Sequence, residues 1–163
     1  MREIPLTKGY VALVDDEDFE RFGGLKWRAR EARRRDGSGR TVYAIRDNAT
    51  ANLSLHRAIL DAPPDVQVDH WDGDGLNCVR HNLRLATPVQ NSRNRKIQSN
   101  NASGFKGVYA VAAQPINPWR AAIKIGDQRI ALGSFPSPEL AAAAYDRAAK
   151  QHFGEFAHTN GIG

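Results

Sequence analysis

A carboxylate and an imidazole stand side by side in the run VQVDHWDGDGLN, where Asp69 and His70 close a short apolar stretch and a Gly- and Asp-rich loop begins. A surface turn accounts for that loop but not for the pair before it. Two amides follow at fixed intervals, Asn82 in VRHNLRLAT and Asn91 in TPVQNSRNR. A carboxylate and an amide carbonyl are hard oxygen donors, suited to Mg2+ or Mn2+ and not to structural zinc. With Asp69 and Asn91 as the protein donors, most coordination positions stay open to water and to a substrate phosphate. A neutral His70 beside them can take a proton from an attacking water. Asn82 belongs to the loop and is placed to hold the histidine by hydrogen bonding. The outline is metal-assisted phosphodiester hydrolysis with one divalent cation per site.

The local sequence predicts what must position these groups. VQVDH has strand character and brings Asp69 and His70 to the strand's exit; LRLA reads as a second strand. Thr87 is an N-cap, Pro88 takes the first helical position and Gln90 lies three residues on from the cap, which opens a helix. Asn91 then falls in the first helical turn, pointing back at the strands. Upstream, YVALV predicts a strand, DDEDFERF a short capped helix ended by Gly23 and Gly24, and KWRARE with TVYAIRD a strand pair. The loop of that pair carries Arg33, Arg34, Arg35 and Arg40, either as a phosphate-touching arm or as a solvated hairpin tip. LSLHRAIL is short and apolar and is followed by the Pro63-Pro64 break.

Past IQSNNASG, which has the composition of a linker, the pattern becomes compact. FKGVYAV, WRAAIKI and QRIALGSF read as strands, and an Ala-rich helix follows with Ser137 as N-cap, Pro138 at its first position and Gly154 past its last turn. A two-residue hairpin turn at Gly126-Asp127 sets Ile125 opposite Gln128, Ile123 opposite Ile130 and Lys124 opposite Arg129. Alternation then leaves Trp119, Ala121, Ile123 and Ile125 on an apolar face and Arg120, Ala122 and Lys124 on the other. The helix stripe of Ala141, Ala144, Tyr145 and Ala148 is expected to cover the apolar face. Two cations directly across a strand pair repel, and a polyanion lying on that face would remove the penalty.

Bulk composition agrees with an anionic partner. The 163 residues carry a net charge of +5 and 17 Arg against 6 Lys, and guanidinium groups match phosphate geometry. The single Cys78 gives neither a disulfide framework nor a CxxC metal knuckle. No apolar run is long enough to span a membrane, and MREIPLTKGY lacks the apolar stretch of a signal peptide. The expected setting is reducing and cytoplasmic; a bacterial or phage-infected cell, with the protein nucleoid-associated through DNA, is implied by the family resemblance that follows.

The segment VDHWDGDGLNCVRHNLRLATPVQNSRNR resembles the HNH homing-type endonucleases, whose ββα-metal site follows the pattern DH…N…N. The resemblance implies Asp69 and Asn91 as metal ligands, His70 as general base and Asn82 as the residue fixing the base's loop. LSLHRAIL matches the family's lead-in, which sets His56 and Arg57 near the scissile phosphate or makes them braces of the site. Arg93, in the basic run RNRK, is a further phosphate contact in prospect. Cys78 stands where many relatives carry Asn, a departure expected to touch loop packing more than the catalytic set. His81 is expected to be a phosphate contact or a solvated side chain.

Residues 104 to 160 resemble the DNA-binding domain of plant apetala and ethylene-response-factor regulators, through GVY, WRAAI, LGSF, AAAAYDRAA and GEFAHTN. That resemblance implies Lys106, Tyr109, Arg120, Lys124 and Arg129 as DNA-facing residues. Val111, Ala122 and Ala131 stand where the plant proteins use larger contacts, so phosphates are expected to give most of the affinity.

The expected fold is α+β, a ββα-metal HNH core plus a small three-stranded antiparallel sheet packed on one helix. The expected domains are an N-terminal α+β region at 1–60, the HNH core at 61–96, a linker at 97–103 and the DNA-binding domain at 104–160. The expected function is a metal-dependent, strand-nicking endonuclease acting on double-stranded DNA as a monomer. Two alternatives stand beside it: a non-catalytic DNA-binding regulator with a degenerate nuclease fold, and a structure-specific or RNA-directed nuclease.

Overall fold

The computed structural model describes residues 1–33, 39–47, 52–94, 97 and 101–162. Arg34 and Arg35, Arg95 and Lys96, and residues 98–100 of the expected linker lie outside them. The protein is α+β, built from small antiparallel sheets and few helices, as expected. It divides into two compact units, Met1–Ser92 and Arg93–Gly163.

The first unit opens with a hairpin, β1 (Arg2–Pro5) against β2 (Val11–Val14), whose first strand the pattern analysis did not anticipate. Helix α1 (Asp16–Phe22) follows. A three-stranded sheet comes next: β3 (Arg28–Arg33), β4 (Arg40–Asp47) and β5 (Asn52–Ser54), in that spatial order. Alternation along it is functional. Ala29, Ala44, Val42 and Leu53 pack into a core with Ile4, Val14, Trp27, Leu55 and Ile59. The neighbouring positions on each strand point the other way.

Helix α2 (Leu55–Ile59) is a single turn inside LSLHRAIL, with Leu55 and Ile59 fully buried. Then come β6 (Gln67–His70) and β7 (Leu83–Ala86), paired so that Asp69 faces Arg84 and His70 faces Leu83. Helix α3 (Pro88–Arg93) follows, the first unit ending within it at Ser92. Its start is the expected capping box: Gln90 N donates to Thr87 Oγ1 (3.2 Å) and Thr87 N to Gln90 Oε1 (2.8 Å).

In the second unit β8 (Val108–Ala110), β9 (Trp119–Ile125) and β10 (Gln128–Phe135) form a sheet with β9 at its centre. The hairpin register is the predicted one through Ala131↔Ala122, after which a bulge shifts the pairing to Gly133↔Ala121. Gly133, at φ 127°, supplies the conformation the irregularity needs. Helix α4 (Pro138–Phe153) begins where Ser137 Oγ accepts from Leu140 N (3.3 Å). Its alanines at 141, 142, 144, 148 and 149 bury against Ala121, Ile123, Leu132 and Phe135, so the apolar sheet face is covered as expected. Gly107 shows how closely the layers pack, since a Cβ there would lie 2.0 Å from the Tyr145 ring.

Candidate active site and nucleic-acid interface

The site grows from one strand. Along β6 the side chains alternate, sending Gln67 and Asp69 to one side and Val68 and His70 to the other. On the first side, Asn91 Nδ2 donates to Gln67 Oε1 (2.7 Å). The first turn of α3 therefore lies over the strand face that carries Asp69, two residues along. Among the described residues no donor reaches Asn91 Oδ1. Asp69 is buried, and its Oδ2 receives Arg84 Nε at 2.8 Å with Arg84 Nη2 at 2.7 Å. The pattern analysis assigned Arg84 no role, although strand pairing puts it directly opposite Asp69.

On the second side, His70 is 6% exposed and sits among rings. Its centroid is 5.0 Å from that of His56 and 6.0 Å from that of Tyr43. Burial holds the His70 pKa below its ordinary value, while Asp72, Asp69 and Asp74 pull it back up. The imidazole is thus neutral at pH 7 yet surrounded by charges that favour its protonated form. Cys78 Sγ lies 3.9 Å from His70 Nε2. The Cys78 departure thus abuts the histidine as well as packing the loop. Burial pushes the thiol up to about 12, so it stays protonated.

Asn82 hydrogen-bonds to the loop that follows His70. Its Nδ2 donates to Asp72 Oδ1 (3.0 Å) and to the Asn77 carbonyl (2.8 Å), and its Oδ1 accepts from Asp72 N (3.1 Å). Every hydrogen-bonding group of that buried amide faces the 72–77 loop. The N-terminal elements grip the same loop from outside. Leu13 N donates to the Leu76 carbonyl (2.9 Å), and Cys78 N donates to the Leu13 carbonyl (2.8 Å). Asp15 makes no cap for α1; its Oδ2 accepts from Arg80 N (2.7 Å), while the fully buried Asp18 takes Arg80 Nη2 (2.7 Å). Gly75 packs so tightly that a Cβ would meet the Val42 carbonyl at 2.4 Å. Sequence reasoning missed this clamp, because Asp15, Asp18 and Arg80 are 62 to 65 positions apart.

A cleft of about 320 Å³ lies beside the strand, reached by Gln67 and Val68 of β6 and by His56 and Asn91, with neither Asp69 nor His70 among its lining residues. The sheet supplies one wall, with Arg30, Ala32, Tyr43, Ile45 and Ser54, and His56, Gln67 and Asn91 face it. The His56 pKa is driven down to about 3, chiefly by burial and then by His70 and Arg57, and its Nδ1 is buried without a hydrogen-bond partner. Arg57 is a brace: Nη1 donates to the Val66 carbonyl (2.6 Å) and Nη2 to the carbonyls of Ala62 and Pro63. That leaves it fixed to the turn leading into β6. Arg93 belongs to the second unit, where its guanidinium lies 4.3 Å over the Phe153 ring. Arg40 pairs with Glu31, and His81 is exposed.

The donor set fits a hard divalent cation. Among the described residues no three His, Cys, Asp or Glu side chains gather as a metal site. One carboxylate and one amide oxygen remain, both hard donors of the kind Mg2+ and Mn2+ take.

In the second unit the expected DNA-facing residues divide. Tyr109, Arg120, Lys124 and Arg129 share a sheet face by register, Tyr109 opposite Arg120 and Arg129 opposite Lys124. Arg129 lies 4.7 Å over the Tyr109 ring, and the exposed Lys124 leans on Asp127 at 3.9 Å. Lys106 is tied down: Nζ donates to the Arg93 carbonyl (2.7 Å) and its backbone N to Asn160 Oδ1 (2.6 Å). Asn160 in turn donates Nδ2 to the buried Asp146 (2.9 Å), which gives AHTN and AYDRAA a shared structural role.

The chain is 37% identical over 161 residues to Uncharacterized HNH endonuclease L560 of Acanthamoeba polyphaga mimivirus, a match covering 95% of this chain and 77% of that protein. It is 48% identical over 46 residues to Protein 3.8 of Escherichia phage T7, covering 28% of this chain and 38% of the phage protein. A third relative, Ethylene-responsive transcription factor ERF069 of Arabidopsis thaliana, is 34% identical over 101 residues, or 59% of this chain and 60% of the plant protein. No family model and no solved structure matches the chain. Identity at that level along nearly the whole length means that the chain belongs to the HNH endonuclease family.

Proposed function

We propose that the protein is a metal-dependent DNA endonuclease that nicks one strand per site and is anchored by its C-terminal sheet, in the manner of homing-type enzymes. The observation that carries this reading is a buried His70 beside Asp69 at the exit of β6, in contact with His56 of a polar cleft that also receives Asn91. Asp69 and Asn91 would hold the cation, Mg2+ or Mn2+, which when bound supplies Lewis-acid stabilisation of the departing oxygen. His70 accepts a proton from the attacking water. Asp72, Asp69 and Asp74 steady the imidazolium that results. Water adds to phosphorus, the bond to the 3′-oxygen breaks, and that oxygen leaves as a 3′-hydroxyl after gaining a proton, with a 5′-phosphate on the other end. Arg84 holds the Asp69 carboxylate in place, and Asn82 keeps the loop after His70 from swinging into the cleft. With one such site per chain, a nick is the default product.

The Asp69–Arg84 ion pair favours a second reading, since a carboxylate already neutralised suits a nuclease fold retained without activity beside a DNA-binding sheet. Supercoiled plasmid incubated with Mg2+, Mn2+ or chelator, in parallel with His70→Ala, separates the two. The expected result is nicking that needs the metal and disappears in the variant. A mobility shift without nicking in any condition would replace the nuclease with the regulator.

A further inference from the structure

The sequence predicts only a strand pair here, with a phosphate-touching role considered for its loop alone; the sheet β3–β4–β5 instead forms a wall of the cleft with its outward face. On this face the cations have different fates. Arg28 is held in a bidentate pair by Asp47, with both distances 2.7 Å. Arg30, two residues on and directly opposite Tyr43, is exposed and meets no carboxylate among the described residues. Among the described residues no Asp or Glu lines the cleft, and Arg30 and the carbonyl-bound Arg57 give it positive charge. Neutral polar groups face the same space. Ser54 precedes α2 in the N-cap position, but its hydroxyl makes no cap hydrogen bond. His56 Nδ1 is buried with no partner, and buried polar nitrogens are seldom left that way.

We infer that this cleft seats the DNA backbone next to the scissile bond, with the Arg30 guanidinium carrying the flanking phosphate and the Ser54 hydroxyl donating to it. The inference rests on the nuclease reading for the word scissile; the phosphate site itself stands on the charge and polarity of the cleft. Guanidinium binds phosphate through a planar fork of donors, and the cleft is of the size that takes one nucleotide unit. A flanking phosphate keeps its charge through the reaction, so Arg30 binds ground state and transition state alike. Its loss raises KM and spares kcat.

The test uses the full chain and a short labelled duplex. Arg30→Ala should raise KM for nicking about tenfold with kcat within a factor of three, while Arg30→Lys recovers most of the loss. The exposed Arg147→Ala serves as a control that leaves both constants unchanged. In a His70→Ala background, the plot of log affinity against log salt should flatten by about 0.9 when Arg30 becomes Ala. Wild-type nicking with an unaltered KM and salt slope in Arg30→Ala overturns the inference. If no variant nicks but the salt slope still flattens, the phosphate site stands and the nuclease reading falls.

Discussion

The two units handle their charges in opposite ways. In the first, four arginines are committed, Arg84 to Asp69, Arg80 to Asp18, Arg28 to Asp47 and Arg40 to Glu31, while Arg30 is exposed. In the second, Lys124 on the sheet face meets Asp127 only at 3.9 Å, both largely in solvent. A fixed, partly buried pair orients a group to within a fraction of an ångström, which is what a reacting site requires. An exposed cation on a sheet face does little for stability and remains available to a polyanion. The buried Asp69 and Asp18 pairs of the first unit serve positioning, Arg30 is the cation that unit leaves exposed, and the sheet face of the second unit serves attachment.

The sharpest way to break that contrast is His70→Ala. Nicking should fall by about a hundredfold to ten-thousandfold, the usual worth of a general base, and duplex affinity measured by anisotropy should stay within a factor of two. A parallel loss of affinity would mean that the two roles are not divided between the units. Next in size is Asp146→Ala. This buried carboxylate accepts from Asn160 N (2.8 Å), Asn160 Nδ2 (2.9 Å) and Ile162 N (3.0 Å). Its loss should cost the second unit about 2–4 kcal/mol, read by hydrogen exchange as faster opening of α4 with β6 and β7 unaffected.

Smaller still, Lys124→Ala combined with Arg129→Ala should flatten the salt dependence of DNA binding by about 1.8, two phosphate contacts' worth, and leave the nicking rate at saturating enzyme unchanged. An effect on the rate would place these residues nearer the chemistry than the sheet face implies. The least effect is on pH. His56 and His70 both have folded pKa values below their ordinary ones, so between about 6.5 and those values the unfolded chain binds more protons. Stability is present above pH 6.5 and is lost as pH falls. From pH 7 to 5.5 His56 alone should account for a loss of about 1 kcal/mol, with His70 adding in the same direction and both confined to the first unit, and the pH dependence of stability measured by urea unfolding should be shallower in His56→Gln than in wild type. A flat profile in both would mean that solvent reaches the two rings.

Local chemistry made a good share of this legible. The Thr87–Gln90 box, the Ser137 cap and the β9–β10 register each depend on residues within a few positions of one another. The bulge at Gly133 was not legible, because a glycine in a strand signals only that an irregularity is tolerated. Nor was β1, whose four residues show no strong alternation and are held by pairing with β2.

By itself, the sequence determined which residues could do chemistry, the strands and helix that carry them, and the sheet of the second unit. Those follow from periodicity, capping and turn preference, all short-range. Only the tertiary structure decided that Arg84 neutralises Asp69, that Cys78 lies against His70, that Asp15 and Asp18 clamp Arg80, and that Arg30 overlooks the cleft. Each of these joins groups brought together by core packing, and side-chain types alone do not say which distant partner a buried charge will find.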